Sequence, residues 1–294
     1  MAESPFASMG AGGRLLCLAT HHKTGTVWMR KVLHSYKVET GIPVTACYSA
    51  KRVDLLPAEG MVMVVNWSGT FPRKLWRRPD ARFIHVVRDP RDVLLSGMRY
   101  HQIAKLGKEK FLQEERPEWG GLNYQSYLKS LPTEVDRLFF EMGEKHDKTV
   151  NEMLNWQWGH ERAAELRYED LMGDPSCDLF RSALVSLGIA ELDIDLMVKK
   201  YWDLSLFGGL ADEAARAEMP KGHISQAGAG EVSQWRRKMP YEVAEEYAKR
   251  YGPALRALGY AQDDSWIEET RKESMEDLHR SVDTGEGRPS QQTG

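Results

Sequence analysis

The 294-residue chain holds only three cysteines, Cys17, Cys47 and Cys177, with no C-x-x-C pair and no histidine cluster beside them. That excludes a disulfide scaffold and the common cysteine-based metal motifs, and the thiols read as reduced core or surface groups. Long apolar runs are also missing. Near the N-terminus the longest is five residues, Leu15 to Ala19, too short for a signal-peptide core or a membrane span, so a cytoplasmic location is expected. There is no excess of positive charge: 40 Lys and Arg against 43 Asp and Glu leave a net charge of −3, which argues against general nucleic-acid binding. No internal repeat is visible.

What the chain does have is a strand, a polar turn and a helix at Leu15 to Tyr36, LLCLATHHKTGTVWMRKVLHSY. Leu15 to Ala19 suits a parallel strand covered on both faces, and Met29, Val32, Leu33 and Tyr36 recur at helical spacing. Between them Lys23-Thr24-Gly25-Thr26 places a cation, two hydroxyls and one glycine at the start of the helix. Free N–H groups and the helix dipole attract negative charge there, and a cation is unfavourable unless an anion joins it. A phosphate or sulfate ester is the expected ligand. The turn is not a Walker A loop, G-x-x-x-x-G-K-[ST], because Lys23 precedes Gly25 and no glycine stands four or five residues upstream.

A second strand-to-helix switch follows about 65 residues later. Phe83 to Val87 runs into Arg88-Asp89-Pro90-Arg91-Asp92-Val93-Leu94-Leu95-Ser96, with Asp89 as helix cap and Pro90 at the first helical position. Arg88 is left at the carboxyl end of the sheet, where ligands bind, and its planar fork suits a phosphate.

These motifs resemble those of the sulfotransferases that use 3′-phosphoadenosine 5′-phosphosulfate (PAPS). Lys23, Thr24, Gly25, Thr26 and Trp28 match the 5′-phosphosulfate loop, with Val27 where a second threonine is common. Arg88 and Ser96 match the 3′-phosphate site, and Tyr168 in Arg167-Tyr168-Glu169-Asp170-Leu171 matches the family's YEDL segment. The resemblance runs from about residue 14 to 188. It implies a single α/β domain with a central parallel sheet flanked by helices, P-loop NTPase-like in its fold. It implies PAPS as co-substrate with no metal required, the 3′-phosphate on Arg88 and Ser96, and the base between Trp28 and Tyr168. By the same resemblance Lys23 stabilises the leaving oxygen as the sulfuryl group passes to a hydroxyl or amine of a small-molecule or carbohydrate acceptor, leaving adenosine 3′,5′-bisphosphate (PAP). With no apolar run long enough for an N-terminal anchor near its start, the chain is expected to stand apart from the membrane-anchored Golgi carbohydrate enzymes. A P-loop kinase-like transferase and a catalytically inactive PAP-binding protein are the alternatives.

Two family features are altered. The loop after the second buried strand, Asn66-Trp67-Ser68-Gly69, lacks the histidine that serves as general base in cytosolic members. His101 is the first candidate in its place, with His22 and Glu141 behind it. The family's C-terminal R-K-G-x-x-G-x-W clamp corresponds to Lys221 to Arg237, where Gly228 and Ala229 replace the basic pair. Lys221 or Arg236 would then supply charge, or a glycine-rich nest of N–H groups would.

The expected organisation is a flexible N-terminus at 1–12, a domain at 13–262 and a polar, largely disordered tail at 263–294. Within the domain, residues 101–150 are rich in charge and aromatics and are expected to form an acceptor lid, partly helical. Met61 to Val65 reads as a buried strand, Phe180, Ala183, Leu184 and Leu187 as a helix face, and Val243, Ala244, Tyr247, Ala248 and Tyr251 as another. His85 reads as a buried core residue.

Overall fold

Five parallel strands form one sheet in the order β2-β3-β1-β4-β5. They are β1 (Leu15–Ala19), β2 (Val44–Ala46), β3 (Val62–Asn66), β4 (Ala81–Val87) and β5 (Ala163–Arg167). The computed structural model describes residues 4–107, 109–212, 214, 216 and 230–270. Every residue of the three central strands is buried, which is why they read as unbroken apolar runs rather than alternating ones. The short β2 was not legible in the sequence: it has three residues, none fully buried.

Alternation within β1 sorts side chains between the two faces. Leu16 and Leu18 join Met63, Val65, Ile84 and Val86 on one side, covered by α1 (Thr26–Thr40), α9 (Asp178–Ser186) and α10 (Ile194–Asp203). Leu15, Cys17 and Ala19 face the other way, onto Phe71, Trp76 and Trp156. Trp76 stacks on Phe83 with ring centroids 3.8 Å apart. The short helices α2 (Ala50–Asp54) and α3 (Arg73–Trp76) lie between strands on this connection.

A separate core joins α4 (Pro90–Ile103), α5 (Tyr124–Ser130) and α6 (Glu134–Glu141) to the helix Tyr241–Ala257. α6 continues through a π-helical turn, Met142–His146, into α7 (Asp147–Leu154). The 101–150 stretch is therefore packed against the C-terminal helix, whose Val243, Ala244, Tyr247, Ala248 and Tyr251 are all buried. The chain after Asp263 stays with this core: Trp266 is buried and lies 5.5 Å from the Trp235 ring. Near the other end, Met9 donates its N–H to the Ser186 carbonyl at 2.8 Å and packs against the sheet core with Phe6. Residues 271–294 lie outside the described residues.

The position of β1 between β3 and β4 makes its carboxyl end the point where strand order reverses. The loops leaving β1 and β4 consequently lie side by side at that edge, the place where an open α/β sheet forms a crevice.

Candidate active site

The β1 loop is shaped by two residues of positive φ, Lys23 at 64° and Gly25 at 96°. Its hydroxyls face inward. Thr24 Oγ1 accepts from the His21 N–H at 2.8 Å and lies 3.2 Å from the Val86 carbonyl, while Thr26 Oγ1 donates to the His21 carbonyl at 2.7 Å. These bonds staple the loop to itself and to β4. Gly25 caps α1 without a side chain, and the first helical bond runs from Met29 N–H to the Gly25 carbonyl. The N–H groups of Thr26, Val27 and Trp28 therefore precede any helical acceptor and are what the loop offers an anion.

Lys23 Nζ lies over the Tyr100 ring, 4.2 Å from its centroid. Burial, with the Arg88 charge second, pushes the lysine down to about 7, although Glu109 and Glu141 act the other way. A poorly solvated cation in this setting gains from an anionic neighbour.

Arg88 closes the gap between the two loops. Its Nη1 donates to the Lys23 carbonyl at 3.2 Å, its Nη2 to the Glu231 carbonyl at 2.8 Å, and its guanidinium lies 4.6 Å from the Tyr168 ring centroid. Among the described residues the Arg88 Nε is buried with no partner. Asp89 caps α4 by accepting from Arg91 N–H at 2.9 Å, and Pro90 takes the first helical position. Asp92, fully buried, lies 3.5 Å from Arg88 and accepts from the Trp235 N–H at 3.1 Å. Burial pushes its carboxyl up to about 6 despite the Arg88 charge. Ser96 is half-buried on α4, the helix that starts beside Arg88.

Trp28 stacks on Tyr201 at 4.3 Å and donates its indole N–H to the Tyr201 carbonyl. A Cβ at Gly25 would lie 3.4 Å from the Tyr168 ring and 4.0 Å from the Trp28 ring, so both aromatic residues border the same glycine. Tyr168 opens α8 (Tyr168–Met172) immediately after β5.

The part of the C-terminal clamp that is described, from Gly230 onward, crosses Arg88 by its main chain. Arg236 pairs with Glu269, and Arg237 and Lys238 both pair with Glu231. Their charges are spent away from Arg88. Lys221 and the Gly228-Ala229 stretch lie outside the described residues.

His101, His22 and Glu141 form one hydrogen-bonded chain. His101 Nδ1 is 2.7 Å from Glu141 Oε2, and His101 Nε2 is 2.8 Å from His22 Nε2. Tyr124 donates to the same Glu141 oxygen at 2.7 Å. Burial raises the Glu141 carboxyl, but its electrostatic pairing with His101 and the hydrogen bonds from His101 and Tyr124 together hold it below its ordinary value. A second pair, His21 and His85, meets Nε2 to Nε2 at 2.8 Å inside the core, with both Nδ1 atoms unpartnered among the described residues. Burial lowers both rings, His21 to about 3, and keeps the pair neutral.

Comparison with protein-family profiles matches residues 15–259 to the sulfotransferase domain. The chain is a member of the sulfotransferase family. Among solved structures, a mouse sulfotransferase complexed with PAP aligns at 14% identity, over 92% of this chain and 91% of its own, with a TM-score of 0.47. A retinol dehydratase in complex with androsterone and inactive cofactor PAP aligns at 14% identity over 86% and 82%, with a TM-score of 0.48. A sulfotransferase from Alicyclobacillus acidocaldarius aligns at 13% identity over 85% and 95%, with a TM-score of 0.39. No curated protein sequence matches.

In this sulfotransferase Lys23, Gly25, Trp28, Arg88 and Tyr168, expected from separate motifs, surround one edge of the sheet. Thr24 and Thr26 hold the loop through their hydroxyls, as described. The Asn66 to Gly69 loop is an Asx turn, with Asn66 Oδ1 accepting from Ser68 and Thr70 N–H groups, and a Cβ at Gly69 would collide with the His21 ring. Sequence reasoning missed Tyr100 and the Glu231 carbonyl. Tyr100 is the one with a signal, since it lies one helical turn beyond Ser96 on α4.

Proposed function

We propose that this sulfotransferase moves the sulfuryl group of PAPS to a hydroxyl or amine of a small or medium-sized acceptor and releases PAP. The observation that carries the reading is the bond from Arg88 Nη1 to the Lys23 carbonyl at 3.2 Å, which fixes two anion-seeking loops side by side. Three further features fit the co-substrate: a buried Nε–H on Arg88 that has no partner among the described residues, a lysine whose proton an anion would restore, and a glycine where two rings approach.

PAPS, when bound, supplies a sulfuryl group on a phosphate leaving group. The N–H groups at the start of α1 and Lys23 hold the 5′ end, Arg88 and Ser96 hold the 3′-phosphate, and Trp28 and Tyr168 hold the base. Negative charge grows on the bridging oxygen during transfer, and Lys23 would balance it. The acceptor is held by the 101–150 lid, whose Phe111 and Tyr124 lie edge-on to His101; their aromatic character suits a phenol, a steroid-like ring or a sugar. The catalytic unit extends beyond 13–262 to include Phe6, Met9 and Trp266, which pack on its cores, and its three free cysteines suit a cytoplasmic setting.

The test is thermal stabilisation by PAP and by ADP. A ligand at 100 times its dissociation constant adds about 2.7 kcal/mol. PAP is expected to stabilise the wild type far more than ADP, and Arg88→Lys to erase that preference while keeping the fold. Equal stabilisation by the two nucleotides, or a preference for ADP, would overturn the reading.

A further inference from the structure

The three candidate proton acceptors differ in exposure. The side chains of His101 and Glu141 are 0% and 2% exposed, whereas that of His22 is 14% exposed. His22 also adjoins Lys23 in sequence, and its ring lies 6.0 Å from the Tyr100 ring over which Lys23 Nζ sits. The outer end of the chain is therefore at the cradle and the inner end is sealed in the lid core.

With Glu141 ionised and both rings neutral, the hydrogen-bond contacts assign the tautomers. An ionised Glu141 only accepts, so His101 Nδ1 carries the proton between them, and neutral His101 Nε2 must accept. The 2.8 Å contact from His22 Nε2 is then a donor, which leaves the lone pair of neutral His22 on Nδ1. Tyr124, donating to the same Glu141 oxygen, reinforces the acceptor role of the carboxylate.

We propose that His22 Nδ1 takes the acceptor's proton and that His101 and Glu141, acting behind it as positioning residues, hold the resulting positive charge. This rests on the sulfuryl-transfer reading above. The acceptor O–H or N–H bond breaks and its proton joins His22 Nδ1. The proton on His22 Nε2 passes to His101 Nε2, so His22 ends neutral with its tautomer reversed and His101 ends as an imidazolium against Glu141. The acceptor's electron pair forms the new bond to sulfur, and the bond from sulfur to the bridging oxygen breaks with its pair left on the phosphate.

The surrounding charges are mixed. Lys23 and Tyr100 adjoin His22, and Glu109 Oε2 is 3.9 Å from His22 Nδ1, beyond hydrogen-bond length but favourable once that nitrogen is protonated. Tyr124 borders His101 and Glu141, His146 acts on Glu141, and Lys145 lies over Phe111, which is edge-on to both His22 and His101.

The experiment is a long-range ¹H–¹⁵N correlation spectrum of the full chain labelled with ¹⁵N-histidine, with and without PAP, with His22→Asn used to assign the exposed ring. At neutral pH His22 is expected to show an unprotonated Nδ1 and a protonated Nε2, and His101 the reverse. On acidification His101 should become the imidazolium as His22 switches tautomer, and Glu141→Gln should transfer the charge to His22. A protonated Nδ1 on neutral His22, or an imidazolium forming first on His22 in the wild type, overturns the relay. Failure of PAP to stabilise the chain sinks the sulfuryl-transfer reading instead, and the tautomers still decide the relay. Transfer to a series of phenols gives the chemical readout: His22→Asn should lower kcat about 100-fold or more for weakly acidic phenols and little for 4-nitrophenol, already ionised at assay pH. A uniform loss across the series would also overturn the role of His22.

Discussion

Arg88 donates to the main-chain carbonyl of Lys23 at 3.2 Å, and Lys23 itself sits at φ 64°. The left-handed backbone that turns the carbonyl toward Arg88 is one that a residue with a Cβ adopts at a cost. The lysine is thus placed for its ammonium at the expense of its backbone.

Two substitutions separate those effects. Lys23→Ala should lower sulfuryl transfer about 100-fold or more, as does loss of one charge-stabilising donor, without relieving the backbone. Lys23→Gly should be equally inactive yet more stable than Lys23→Ala by about 1 kcal/mol, measured by urea unfolding. An active glycine variant would contradict the role given to the ammonium.

Proton uptake should accompany PAP binding. The free lysine is depressed to about 7 by burial and then by Arg88, and a bound phosphate raises it, so affinity is greatest where the amine is charged. It should weaken as pH rises from 7 until the bound-state value is passed. At pH 8 binding should take up about one proton, read by calorimetry in two buffers of different ionisation heat, and Lys23→Gln should abolish the uptake.

Gly25→Ala should lose both stability and nucleotide. The site has φ 96°, and a methyl would lie 3.4 Å from the Tyr168 ring. A cost of about 1–2 kcal/mol is expected from the left-handed backbone. PAP should bind more weakly to the variant in a titration, whereas a purely local strain would leave its affinity unchanged.

Asp92→Asn tests the buried carboxyl. Its folded value is raised to about 6, from an ordinary 3.8, so the folded state holds the proton more tightly than the unfolded one. Its contribution to stability is full below 3.8 and is lost as pH rises through 6. From pH 5 to pH 8 the wild type should lose about 1 kcal/mol at this position, a loss absent from Asp92→Asn, where an amide oxygen still accepts from Trp235. Parallel stability curves for the two proteins would refute it.

The parts of the fold that were legible in the sequence are those where one local signal settles one element. Leu15 to Ala19 and Phe83 to Val87 announce central strands because burial on both faces removes the alternation. Asp89-Pro90 announces a helix start because cap and ring chemistry leave few other uses for that pair. The site was legible to the extent that each anion loop is local. The His22, His101 and Glu141 chain was not, because each bond joins residues 79 or 40 positions apart and depends on how α4 and α6 cross. Trp266 was missed for a related reason: an aromatic ring in a polar stretch gives no period, and its anchor is the Arg91 guanidinium, 4.8 Å away.

The contact between Arg88 and Glu231 is made by a carbonyl, a group every residue possesses. Substitution at 231 would thus disturb the surface pairs with Arg237 and Lys238 and leave the link to Arg88 in place. A library of side-chain variants would score the position as tolerant, whereas replacing its peptide bond by an ester on the carbonyl side, which weakens the acceptor without altering shape, would expose what it does.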